Sequence, residues 1–167
     1  MPSRRELIRM SDSEVASFLG GRNTLNIASF GPDGNIHLVA MWYGFLNDSN
    51  TFDPAVGFGH GDIVIETFAK SQKVQNLRRD SRFTAIVETG DEYSELRGAE
   101  LVGRVSILEE HAEVVESCKA VLSRYQDFAN PGDLEFAAEF AAAKRVCVKL
   151  HVEKVVSWDH TKLDVQY

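Results

Sequence analysis

Residues 36–45 limit most strongly what this chain can fold into. They follow the turn signal Gly-Pro-Asp-Gly-Asn at residues 31–35, which predicts that they form the second strand of a hairpin. One face of this strand carries Ile36, Leu38, Ala40 and Trp42, and the other carries His37, Val39, Met41, Tyr43 and Phe45. A strand that is apolar on both faces has to be covered on both. In a small barrel one face lines the interior, which leaves the other for a second subunit or a bound planar ligand.

The order of the other predicted elements favours an α+β fold, a mostly antiparallel barrel with helices at its rim. Strands are predicted at residues 24–30, 36–45, 82–89, 95–108 and 145–158, with a further one beginning at Ile63. Gly98 and Gly103 interrupt one of them, and glycine inside a strand often marks a bulge or a bend. The 167 residues are interpreted as a single domain, in which residues 110–144 form a helical insertion that caps the barrel.

Local signals also predict where helices and loops begin. Ser11 and Glu14 match a capping box at the start of a short helix. The run Asn130-Pro131-Gly132 is interpreted as a break between two helices, and Asp133 as the cap of the second one. Residues 46–61 are interpreted as a long hairpin loop, a kind of segment that is often functional.

Composition narrows the class of protein. The formal net charge is -7, which argues against general nucleic-acid binding, so that any anion site must be local. Cys118 lies on an apolar helical stripe and is assigned to the core, whereas Cys147 alternates with valines and is expected to be partly exposed. The two cysteines lack a metal-type spacing and fit a reducing compartment. No signal peptide or membrane span is recognised, so a cytoplasmic protein is expected.

A change of period within residues 63–80 predicts an anion site. A short apolar strand opens the segment, and after Ser71 the apolar residues follow a helical spacing. Ser71 is a good N-cap residue, and Lys70 and Lys73 flank a helix start whose free N–H groups and dipole favour anions. With Thr67 just upstream, this junction is interpreted as a phosphate clamp. The alternative is an ordinary strand-to-helix turn with solvated lysines.

Two aromatic segments are candidates for the walls of a pocket. The run Met41-Trp42-Tyr43 concentrates large side chains that suit a flat ring, although plain core packing explains it as well. The other segment is Trp158 with Asp159, His160 and Lys162, which is polar enough to line the mouth of a pocket. The alternative there is a strand end that one tryptophan anchors.

Taken together, these segments resemble the pyridoxamine-phosphate-oxidase-like split-barrel flavoproteins, and most closely their flavin- or deazaflavin-dependent oxidoreductase branch. The segments that carry the resemblance are Glu-Val-Ala-Ser-Phe-Leu at 14–19, Asp-Gly-Asn-Ile-His at 33–37, Met-Trp-Tyr at 41–43, residues 66–73 and 76–82, Glu-Leu-Arg-Gly at 95–98 and residues 156–163. The resemblance implies an antiparallel split β-barrel of the FMN-binding-protein type. It also implies a homodimer with two cofactor sites at the interface.

The resemblance implies that the cofactor is the deazaflavin F420 or FMN. It assigns one group of residues to the ring and one to the phosphate: Val39, Ala40, Met41 and Trp42, and Thr67, Ser71 and Lys73. Trp158 and Lys162 would join the site from the C-terminal end of the same or the other subunit. Oxidase members often carry arginine where this chain has Gln72, and Lys70 is expected to compensate for that lost charge. The arginine and tyrosine set of the true oxidases is not evident, so pyridoxamine-phosphate oxidation is not predicted.

The implied function is a reductase that passes hydride from the reduced cofactor to a small unsaturated molecule. The sequence fits a protein that mainly binds and orients a cofactor, because it contains no G-x-S-x-G, H-E-x-x-H or GxGxxG motif and its histidines are scattered singly. Tyr43 and His60 are candidate proton donors. Two alternatives stay open: a non-catalytic module that binds flavin, haem or a tetrapyrrole, and a carrier of apolar ligands.

Overall fold

The computed structural model describes residues 3–46 and 63–163, which form seven β-strands and five α-helices. The strands are β1 (Leu25–Phe30), β2 (Ile36–Met41), β3 (Gly44–Phe45), β4 (Ile63–Phe68), β5 (Arg82–Thr89), β6 (Arg97–Leu108) and β7 (Arg145–Asp159). The helices are α1 (Arg4–Ile8), α2 (Asp12–Leu19), α3 (Gln72–Arg79), α4 (His111–Tyr125) and α5 (Pro131–Ala142). None of the helices in these residues is long and apolar enough to cross a membrane.

All seven strands join one antiparallel sheet in the order β2-β1-β5-β6-β7-β4-β3. The sheet curls into a half-barrel around the main core, where its inner residues meet Val15, Phe18 and Leu19 of α2. Between Val102 and Gly103 the pairing of β6 with β7 shifts register. A Cβ atom on Gly103 would lie 2.0 Å from the carbonyl oxygen of His151, so the bulge requires glycine there. The predicted antiparallel α+β fold is confirmed.

The capping signal at the N-terminus is confirmed, and a second one was missed. The Ser11 amide donates to Glu14 Oε2 at 2.6 Å, and the Glu14 amide donates to Ser11 Oγ at 3.3 Å. The same reciprocal bonds join Ser3 and Glu6 at the start of α1, a helix that was not predicted. The sequence carries the signal for it, because Ser3 and Glu6 have the capping-box spacing.

The prediction of one strand over residues 36–45 is wrong at its end. β2 stops at Met41, and the chain then crosses to the opposite edge of the sheet, where β3 pairs with β4. After the crossing, α4 packs directly on the backbone of Gly44. A Cβ atom there would lie 2.6 Å from the carbonyl carbon of Ala120, so this close approach requires glycine. Tyr43 and Phe45 are buried beside it.

Two smaller predictions also fail. Asn130 rather than Asp133 is the N-cap of α5, and Pro131 is its first helical residue. Proline suits that position because its fixed φ is helical and its missing N–H would have no partner there. Cys147 is fully buried, because α4 covers the outer face of β4 and β7 and packs Val121 against it. Cys118 lies in the core as predicted, and the predicted loop of residues 46–61 lies, apart from Leu46, outside the described residues.

Candidate functional site

A cleft of about 570 Å³ lies where the end of β2 approaches β4 and the start of α3. Its lining residues are Thr24, Val39, Ala40, Met41, Trp42, Glu66, Thr67, Phe68, Lys73 and Arg145. The fold therefore brings the four residues that the sequence assigned to a ring together with Thr67 and Lys73 of the phosphate group, whereas Ser71 of that group is not in the lining. The ring residues form an apolar wall, and Thr67 and Lys73 lie at the charged end of the cleft.

The helical insertion supports the apolar wall. Trp42 stacks on Tyr125 of α4, with ring centroids 4.8 Å apart and ring planes within 1° of parallel. Tyr125 is itself fixed, since its hydroxyl donates to the Asn23 carbonyl at 2.6 Å. On the other side of the strand, Val39 and Met41 pack against the core. The insertion thus does more than cap the barrel: α4 sets the position of a cleft residue.

The charged end is built by the junction of β4 and α3. Lys73 is the second residue of α3, where backbone N–H groups have no helical acceptor. Its ammonium group donates to Thr67 Oγ1 at 3.0 Å, which uses one of its three protons. Partial burial lowers the pKa of Lys73, and the nearby Glu66 carboxylate opposes that shift.

The Ser71 hydroxyl does not form the capping bond that its position predicts. Ser71 is the N-cap of α3, but its side chain accepts no bond from the first turn. Its Oγ is buried and has no hydrogen-bond partner among the described residues. A buried hydroxyl without a partner is costly, so this one is a candidate contact for a bound group, although Ser71 does not line the cleft.

The cleft also contains an ion pair that no sequence pattern predicts. Glu66 Oε2 of β4 lies 2.6 Å from Arg145 Nε of β7, and the guanidinium lies over the Phe68 ring at 4.7 Å. Burial raises the pKa of Glu66, whereas the nearby positive charges of Arg145 and Lys73 act to lower it. No local pattern identifies this pair, because only the register of β4 with β7 brings the two residues together.

Tyr43, one of the two candidate proton donors, lies away from the cleft. It is fully buried, and its hydroxyl donates to the Leu19 carbonyl at 2.6 Å. Burial raises the pKa of Tyr43 well above its ordinary value. The other candidate, His60, lies outside the described residues.

Comparison with known proteins identifies the family. The family model described as pyridoxamine 5'-phosphate oxidase matches residues 11–159, nearly the whole chain. The chain belongs to the pyridoxamine 5'-phosphate oxidase-like family. The chain matches none of the curated proteins with which it was compared.

Solved structures agree with this family and with the split-barrel fold. A conserved hypothetical protein from Mycobacterium tuberculosis is 35% identical, with a TM-score of 0.83 over 99% of this chain and 95% of that one. An F420 reductase is 20% identical, with a TM-score of 0.57 over 83% of this chain and 93% of that one. HutZ, a haem storage protein from Vibrio cholerae, is 12% identical, with a TM-score of 0.60 over 87% and 92%. With the F420 reductase and HutZ, this chain shares the fold alone.

In this member of the pyridoxamine 5'-phosphate oxidase-like family, two predicted clamp residues lie outside the cleft lining. Lys70 is exposed in the turn before α3. Gln72 points its amide along α3 and donates to Asn76 Oδ1 at 2.8 Å. Cofactor contacts by these two residues therefore stay predictions.

The predicted C-terminal site residues of this family member also lie elsewhere in the single chain. The Trp158 ring covers Gly98 so closely that a Cβ atom on that glycine would lie 2.1 Å from it. Lys162 Nζ lies 2.7 Å from Glu14 Oε2 and donates to the Arg9 carbonyl at 2.9 Å. The contact with Lys162, together with the capping bonds of Ser11, lowers the pKa of Glu14 to about 2. A role for Trp158 and Lys162 in the site of a second subunit stays a prediction.

Proposed function

We propose that this protein is an oxidoreductase that uses the deazaflavin F420 or FMN to transfer hydride to a small unsaturated molecule. The observation that carries the proposal is the cleft, which joins an apolar wall at residues 39–42 to a charged end with Lys73 and Arg145. Both cofactors combine a flat ring with a phosphate group, so they match both parts. The chain has a net charge of -7, so its surface as a whole does not attract anions. Two cations at one cleft therefore favour the binding of a specific anion there.

The residues present fit such a cofactor. Trp42, held flat by Tyr125, offers a fixed surface for a ring, and aromatic stacking suits a planar group. Lys73 keeps two ammonium protons beyond its bond to Thr67, and the Ser71 hydroxyl lacks a partner among the described residues. These groups would hold the phosphate and orient the ring. The hydride chemistry would come from the cofactor itself.

A second candidate is a non-catalytic module that binds flavin, haem or a tetrapyrrole. The fold is shared with an F420 reductase and equally with a haem storage protein. The charged end of the cleft suits the phosphate that F420 and FMN both carry.

A binding screen separates these functions. We expect the purified protein to quench the fluorescence of F420 or FMN at micromolar concentration, and the reduced cofactor to lose hydride to an added conjugated enone, followed by absorbance. A shift of the haem absorption band without flavin or deazaflavin binding would support the storage module and contradict the reductase. Binding of none of the three would favour a carrier of apolar ligands.

A homodimer is the second part of the proposal. On the outer face of β2, Ile36 is 58% exposed and Leu38 is 63% exposed, and Phe30 of β1 lies on the neighbouring strand. Such a contiguous apolar face on a soluble chain is typical of an interface. Ala40 continues the same face of β2 and lines the cleft together with Trp42, so a second copy on that face would border the cofactor.

The dimer predicts the effect of a charge on that face. We expect Leu38→Glu to convert a dimer into a monomer at micromolar concentration, because burying a carboxylate in an apolar interface is costly. Sedimentation velocity measures the change. Leu7→Glu is the matched control, since Leu7 is 50% exposed on α1 and should leave the dimer intact. A monomeric wild-type protein, or a dimer that only the control disrupts, would contradict the proposed interface.

A further inference from the structure

We propose that Arg145 is a second cationic anchor for the anionic end of the cofactor, and that Glu66 positions Arg145 while opposing the anion. This inference rests on the proposed function and adds to it two residues of β4 and β7. Both line the same cleft as Thr67 and Lys73.

Arg145 is held in place on several sides. Its Nε lies 2.6 Å from Glu66 Oε2, its Nη1 donates to the Ala141 carbonyl at 3.3 Å, and its guanidinium covers the Phe68 ring at 4.7 Å. Within residues 3–46 and 63–163, Nη2 has no hydrogen-bond partner. A guanidinium that is already ordered loses little entropy when it binds an oxyanion with its remaining N–H groups.

The strand register explains why this arginine reaches the clamp. Arg145 pairs with Phe68 at the last residue of β4, so its side chain meets the same end of the strand as Thr67. The resemblance implies a lost charge at Gln72, and the side chain of Gln72 contacts Asn76. Arg145 supplies a positive charge to the clamp from a different strand.

The negative charge of Glu66 predicts an effect on phosphate binding opposite to that of Arg145. The Oε2 atom of Glu66 is buried and contacts Arg145 as an ion pair, without an aligned hydrogen bond. The cluster of Lys73, Arg145 and Glu66 thus carries two positive charges and one negative charge. A phosphate would compete with the Glu66 carboxylate for Arg145 and be repelled by it. Removing the charge of Glu66 should therefore tighten phosphate binding, whereas removing that of Arg145 should weaken it.

The test compares FMN with riboflavin, which differ only in the phosphate. We expect Arg145→Met to weaken FMN binding by about 10- to 100-fold, the scale of one charge-assisted hydrogen bond. Glu66→Gln should tighten FMN binding by about 3- to 10-fold. Both variants should leave riboflavin affinity within about twofold in a fluorescence titration. If the protein prefers F420, that cofactor and its chromophore without the phosphodiester tail form the equivalent pair.

Two further variants keep the test decisive. Arg78→Met removes an arginine that pairs with Glu109 outside the cleft, and it should change neither affinity. If Arg145→Met does not fold because Glu66 is left unpaired, the double variant Glu66→Gln/Arg145→Met removes both charges. We expect the double variant to bind FMN about 10- to 100-fold more weakly than Glu66→Gln.

Each outcome decides a different point. Equal changes for FMN and riboflavin would mean that the pair is only structural, and weaker binding of FMN alone in Glu66→Gln would contradict the opposing role of Glu66. If the wild-type protein prefers FMN to riboflavin and Arg145→Met keeps that preference, the inference fails while the proposed function stands. If the wild-type protein binds neither FMN nor F420, the proposed function fails and this inference fails with it.

Discussion

Replacing Arg124 with methionine should lower the free energy of unfolding by about 2–4 kcal/mol, the scale for losing two hydrogen bonds from a buried charged group. Arg124 of α4 is 9% exposed, and its Nη2 donates to the carbonyls of Leu19 and Gly21 at 3.1 and 2.8 Å. Its guanidinium also lies 4.9 Å from the Tyr43 ring centroid and 4.7 Å from that of Phe45. The residue therefore ties the helical insertion to the segment that follows α2.

Urea denaturation followed by circular dichroism measures this loss. Ser123→Ala is the matched control on the same turn, because Ser123 is exposed, and it should change stability by less than about 0.5 kcal/mol. Arg124→Lys keeps the charge but not the planar fork, so it should lie between the wild type and Arg124→Met. Equal stability of Arg124→Met and Ser123→Ala would show that α4 is anchored by other contacts.

Lys73→Met should weaken cofactor binding by about 1–3 kcal/mol, the scale of a charge-assisted hydrogen bond to phosphate. The ammonium group is already placed by Thr67 Oγ1, 3.0 Å away, so its loss cannot be recovered by a neighbouring donor at the same position. Ser71→Ala should have a smaller effect, since a hydroxyl carries no charge. Fluorescence titration with F420 and FMN gives both affinities.

Lys154→Met is the matched control for the clamp. Lys154 is exposed on β7 and lies outside the cleft lining, so its loss should change affinity by less than about 0.5 kcal/mol. Unchanged affinity in Lys73→Met would contradict the clamp, and an equal loss in both lysine variants would indicate a diffuse electrostatic effect instead.

The parts of the site that the sequence predicted depend on local signals. Thr67 and Lys73 flank one strand-to-helix junction, and a helix start after a strand can be recognised from the change in apolar spacing. The burial of Phe83, Ala85 and Val87 in β5 likewise follows a local alternation, because every second residue of that strand faces the core. These signals need only a few neighbouring residues.

The parts that were missed depend on contacts between distant segments. Arg145 meets Glu66 through the register of β4 with β7, and Tyr125 reaches Trp42 through the packing of α4. Neither contact leaves a spacing pattern in the chain. The division of the predicted second strand at Met41 has the same origin, because it shows in the pairing of β3 with β4 at the opposite edge of the sheet.

A crystal structure of the protein with F420 or FMN tests the central claim most directly. We predict that the phosphate lies within hydrogen-bond distance of Lys73 Nζ and that the ring lies against residues 39–42. A cofactor bound at another surface, with Lys73 still donating only to Thr67, would contradict the assignment of this cleft.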